Sequence, residues 1–187
     1  MTTGDHDETQ DAYERLLPRV VALTDEARFD EALAVLDDLL RSESHCDHDG
    51  WLRRSVVAHR ALILAEAGKT VDALSEWNRR ADLGLTDPSD RIEHALGAGT
   101  CLTKLRRYDE AIALLRSVLH DLPLSHLGSA LGLLARLAHA YAGSGQPFPG
   151  TYAPLIRAIA AYHDVAITDS TDAAESVMKL VAAVRER

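Results

Sequence analysis

The chain has 187 residues, 47% of them apolar and 5% aromatic, which excludes a disordered chain and permits one domain of ordinary size with a sizeable core. The formal net charge is −9, and residues 1–50 hold 14 acidic against 4 basic side chains while the remainder holds 15 against 16. That distribution argues against a nucleic-acid surface, which needs clustered cations, and against an anionic membrane.

Residues 1–8 read as a disordered acidic lead, and 9–187 as a single helical domain. The lead holds no basic or apolar signal region, and no apolar run approaches a membrane span, so the cytoplasm is expected. Cys46 and Cys101 are too few for a disulfide framework. Arginine outnumbers lysine 17 to 3, which hints at a GC-rich bacterial genome.

Helix one is predicted from about Gln10 to Glu26, with Tyr13, Leu16, Val20 and Leu23 inward and Pro18 as a kink. Helix two runs from Phe29 to Glu43, with Phe29, Leu33, Leu36 and Leu40 at helical spacing. A polar loop over Ser42–Gly50 follows. Helix three covers Trp51 to Ala67 and stops at Gly68. Helix four carries Leu74, Trp77 and Ala81. Asp87-Pro88-Ser89-Asp90 supplies an N-cap, a first-turn proline and an acid for helix five, which extends to Leu105. Helix six runs from Tyr108 to His120. Ser125 is expected to cap helix seven, which runs to Ala142. Thr151 opens helix eight, and helix nine starts near Thr171 with Ala173, Val177, Leu180, Val181 and Val184 as its apolar stripe.

One phrase occurs three times: Ala27-Arg28-Phe29-Asp30-Glu31-Ala32, Gly68-Lys69-Thr70-Val71-Asp72-Ala73 and Arg106-Arg107-Tyr108-Asp109-Glu110-Ala111. Each copy closes one apolar helical stretch and opens the next, as the turn of a repeated helix hairpin does. A single hairpin cannot bury its apolar face, so repetition implies stacking.

These phrases resemble the tetratricopeptide repeat family. Ala61 with Ala73, and Gly99 with Ala111, match its pairs of small residues at helix crossings. Phe29 and Tyr108 match its aromatic before the second helix, and Leu36, Trp77 and Leu115 its large residue one turn later. Val20 stands where a small residue is the rule. The resemblance spans residues 12–123, and more loosely 125–163 through Leu134, Ala138, Tyr141 and Gly145. It implies an all-α fold: a right-handed α-α superhelix of about four helix hairpins plus a C-terminal capping helix. It also implies a non-catalytic protein-protein interaction module, acting as scaffold, adaptor or regulator. The family's inner surface comes from the first helix of each hairpin. Carried over, its positions are Glu14, Leu17, Val21 and Asp25; then Ser55, Ala58, His59, Leu62 and Glu66; then Glu93, Leu96, Thr100, Thr103 and Lys104. This mixed apolar and acidic groove would suit a basic, amphipathic protein segment or peptide.

Other constellations are weaker. His45-Cys46-Asp47-His48-Asp49 is the densest set of donors for zinc or nickel, but adjacent residues rarely converge on one ion and no second ligand pair follows. It leaves a metal-dependent sensor or enzyme as the alternative; a structural homo-oligomer is the other. Gly97-Ala98-Gly99-Thr100 reads as close helix packing, without a P-loop lysine. No nucleophile elbow occurs, and no cofactor, metal or catalytic residue is expected.

Overall fold

The apolar periodicity is realised as helix throughout. The computed structural model describes residues 3–43, 50–85, 87–165 and 173–186, and no strand occurs among them. The loop of His45–Asp49, with the metal alternative attached to it, lies outside the described residues. The chain divides into two compact units, Met1–Leu85 and Thr86–Arg187.

The first unit contains α1 (Thr3–Asp25), α2 (Phe29–Glu43), α3 (Trp51–Glu66) and α4 (Thr70–Asp82). Sequential helices pack on one another, and α1 also touches α3. Tyr13, Val20, Leu23, Ala32, Leu36, Leu39, Leu52, Val56 and Ile63 form one apolar cluster. Helix α1 starts at Thr3, inside the segment expected to be an unstructured lead. The helix also continues through Pro18, whose ring is exposed. Trp77 on α4 is buried, and the buried Arg80 guanidinium lies 5.7 Å from its ring centre.

The second unit contains α5 (Pro88–Lys104), α6 (Tyr108–His120), α7 (Leu127–Ser144), α8 (Ala153–Tyr162) and α9 (Ala173–Arg185). The Asp87 side chain accepts from the Ser89 N–H at 2.6 Å, with Pro88 in the first turn, as the sequence indicates. Ser125 does not cap α7. It lies in a single 3₁₀ turn, Leu124–His126, and His126 holds the cap position without a side-chain bond to the helix N-terminus. A second such turn, Gly150–Tyr152, delays α8 to Ala153. Helix α7 packs against α5, α6, α8 and α9, and α8 against α9. Val177 and Leu180 of α9 are fully buried.

The repeated phrase has one backbone conformation. Ala27, Gly68 and Arg106 all take positive φ, at 58°, 76° and 59°. The next N–H reaches back to close the turn: Arg28 to the Leu23 carbonyl at 2.8 Å, Lys69 to Leu64 at 2.8 Å and Arg107 to Leu102 at 2.9 Å. This is the left-handed helix stop that satisfies the last carbonyls. Gly145 and Asp164 repeat it after α7 and α8, with Gln146 bonded to Tyr141 and Val165 to Ala160. The small residues then set the crossing. Ala32, Ala61, Ala73, Ala98 and Ala111 are buried, and a Cβ on Gly99 would stand 3.2 Å from the Leu115 side chain.

Candidate functional site

Helix α3 presents two faces. At 100° per residue, Ser55, His59, Leu62 and Glu66 fall on one side and Arg53, Val57 and Arg60 on the other. The first side meets α1. The Tyr13 hydroxyl lies 2.5 Å from His59 Nδ1 and 3.5 Å from the Ser55 carbonyl oxygen. Trp51 approaches the Tyr13 ring edge-on at 5.3 Å. His59 is therefore a structural contact between two helices, which restricts what it can offer a ligand.

The burial pattern sorts the remaining groove positions of this unit. Ala58 is buried. Leu17 is half-buried against the apolar cluster. Glu14, Val21 and Asp25 on α1 are exposed, as are Leu62 and Glu66 on α3. Val21 keeps 51% of its surface and Leu62 keeps 42%. Both are large apolar side chains at corresponding positions of the first two hairpins, each with a carboxylate one helical turn further on.

On the other side of α3 the charges are already engaged. Arg60 reaches Asp37 of α2 and, at 3.2 Å, Glu76 of α4. Arg41 pairs with Asp38, and Arg79 lies 3.6 Å from Glu76. These ion pairs border an open cavity of about 580 Å³ over Leu40, Val57 and Leu83. Asp37 and Asp38 belong to this network.

In the second unit, Glu93 and Lys104 are exposed, and Leu96, Thr100 and Thr103 are half-buried. The two threonine hydroxyls donate to their own helix, Thr100 to the Leu96 carbonyl at 2.6 Å and Thr103 to that of Gly99 at 2.8 Å. Thr100 also accepts from Arg136 Nε of α7 at 2.8 Å. Leu96 lies 3.4 Å from where a Gly132 Cβ would stand. This face of α5 is largely spent on α7. Arg136 is absent from the sequence reading; its one signal is its position on the first helix of the fourth hairpin. Burial, then the nearby Arg185, lowers the Arg136 guanidinium below its ordinary value.

Other perturbed groups are structural. Bidentate contact with Arg28 holds the Glu31 carboxyl below its usual range, and Arg107 does the same to Glu110. Cys101 is buried, which pushes its thiol up and away from reactive thiolate. Among the described residues no three His, Cys, Asp or Glu side chains gather as metal ligands. No described helix is long and apolar enough to cross a membrane.

Compared with known proteins, the chain matches no family model, no curated protein and no solved structure.

Proposed function

We propose that the protein is a non-catalytic interaction module whose units are stacks of tetratricopeptide-like hairpins, and that α1 and α3 of the first unit receive a protein segment. The observation that carries this reading is the exposure of Val21 and Leu62 beside Glu14, Asp25 and Glu66. Large apolar side chains left in water at repeated positions favour burial by a partner. The surrounding carboxylates select a segment with Lys or Arg on its flanks. The helices themselves are held by Tyr13, His59 and Trp51, so the face is supported before any partner arrives.

The test is a pair of synthetic amphipathic helices with the same leucine stripe, one flanked by Lys and Arg, the other by Glu. The basic peptide should bind in a calorimetric titration and the acidic one should not. A Val21→Ser/Leu62→Ser variant should lose that binding while melting like the parent. Equal affinity for both peptides, or binding untouched by the double variant, would remove this face from the function.

A further inference from the structure

One cleft of the second unit is lined by basic and hydroxyl side chains. An open cleft of about 610 Å³ lies between α6 and the segment that opens α8. Arg116 and His120 stand one turn apart on α6, with Ser117 between them. Thr151 and Tyr152 face them from the 3₁₀ turn, and Ala113, Leu119 and Leu155 supply apolar wall. No carboxylate lines the cleft. Arg116 and His120 form no ion pair with a carboxylate among the described residues, unlike Arg41, Arg60 and Arg79 around the other large cavity. Burial pushes the pKa of the Tyr152 hydroxyl up, against a smaller opposing effect of the nearby Arg116 charge, so it stays a protonated donor at neutral pH.

We propose that this cleft is an anion site for a small phosphate monoester with an apolar body. The donor set is a guanidinium, an imidazole and the hydroxyls of Thr151 and Tyr152; the Ser117 hydroxyl already donates to the Leu114 carbonyl at 2.8 Å. A phosphoryl group has three terminal oxygens and accepts more hydrogen bonds than a carboxylate, and a guanidinium fork matches it bidentately. The cleft volume is in the range that takes a small organic molecule, and the wall of Ala113, Leu119 and Leu155 gives its apolar part a place to lie. The Phe148 ring sits 5.3 Å from Tyr152 and 5.6 Å, edge-on, from Tyr141 of α7. This ladder braces the 3₁₀ turn that presents Thr151 and Tyr152. The proposal is independent of the peptide face on α1 and α3.

The full-length protein would be titrated with phenyl phosphate, inorganic phosphate and benzoate, with amide and arginine side-chain NMR shifts as the readout. Phenyl phosphate should saturate shifts at Arg116, His120 and Tyr152 and bind at least tenfold more tightly than either control. Arg116→Gln should weaken it tenfold or more. Thr151→Glu, which sets a carboxylate into the cleft from an exposed position, should do the same. Both variants should melt with the parent, and Arg79→Gln, at the other cavity, should leave the titration unchanged. Absence of saturable shifts would overturn the proposal, as would benzoate binding equal to phenyl phosphate or an Arg116→Gln variant that binds normally. Inorganic phosphate binding equally well would overturn the role of the apolar wall.

Discussion

Tyr13 of α1 and His59 of α3 meet with their rings near perpendicular, 79° apart, and the hydroxyl 2.5 Å from Nδ1. The pair joins the first helices of two hairpins through a contact more than forty residues long in sequence. Tyr13→Phe keeps the buried ring and removes one hydrogen bond, so it should cost about 1 kcal/mol. Tyr13→Ala removes the ring from between Trp51 and His59 and should cost about 3–5 kcal/mol, as large aromatic truncations do. Urea denaturation of the three proteins measures both steps. Equal losses would mean that the ring contributes nothing beyond its hydroxyl.

Ala27 and Arg106 occupy a backbone region that penalises any Cβ, whereas Gly68 occupies the equivalent turn without penalty. Ala27→Gly and Arg106→Gly should each stabilise the fold by about 0.5–1 kcal/mol, the strain of a left-handed residue less the added chain entropy of glycine. Gly68→Ala should act in the opposite direction; open space surrounds its Cβ position, so only the backbone would resist. Thermal melts of the three variants give the signs. A destabilised Ala27→Gly would show that the turn is held by its flanking ion pairs rather than by its dihedral.

Gly143 packs under the Tyr108 ring so closely that an added Cβ would collide with it. Gly143→Ala should therefore cost about 1–3 kcal/mol through overpacking between α6 and α7. Ala73→Leu and Ala111→Leu belong to the same class, because both alanines are wholly buried at hairpin crossings. A Gly143→Ala/Tyr108→Ala pair should recover less than additive loss if the collision is the cause. Additive losses would assign the effect elsewhere.

How much of this was legible depends on the range of the interaction. The hairpin turns were readable because each turn is local: a left-handed stop, a basic residue and an acid three places on recur within six residues. The Asp87 cap was readable for the same reason. The 3₁₀ turn at Leu124–His126 was not, because Ser125 carries the side chain of a cap without its geometry. The groove positions came from a family pattern that assumes regular stacking. Here Ala58 turns inward, and Thr100 is taken up by Arg136, a partner 36 residues away. The Arg116 cleft joins α6 to residues 151–155 across all of α7, and no local pattern marks such a meeting.

The Asp87 cap carries a pH dependence with a definite sign. Its carboxyl is held below the ordinary Asp range, first by the Ser89 backbone N–H and then by the Ser89 side chain. A depressed folded value means that the cap stabilises α5 fully above the unfolded value and loses that effect as pH falls through the folded one. Asp87→Ala should therefore lower the melting temperature at neutral pH, and the gap to the parent should close as pH falls below the ordinary Asp range. Asp87→Asn should keep an acceptor and show less pH dependence. A gap constant across that range would mean that Pro88, not the carboxylate, sets the helix start.

The last prediction concerns the acidic rim of the proposed binding face. Glu14, Asp25 and Glu66 are exposed around Val21 and Leu62. Exposed carboxylates raise the encounter rate of a cationic segment more than they hold it once bound. Their field is screened beyond about 8 Å at physiological ionic strength. Binding of the basic amphipathic peptide should therefore weaken as salt rises, with most of the change in the association rate. Glu14→Gln/Asp25→Asn/Glu66→Gln should weaken it at low salt and flatten its salt dependence. Val21→Ser/Leu62→Ser should instead raise the dissociation rate and leave the salt slope in place, because burial of apolar area is not screened. Asp72 is exposed near the start of α4 and serves as the control; Asp37 would be a poor one, since it pairs with Arg60. Stopped-flow measurements at two salt concentrations separate these effects. An association rate indifferent to salt in the parent protein would leave the carboxylates as solubilising groups only.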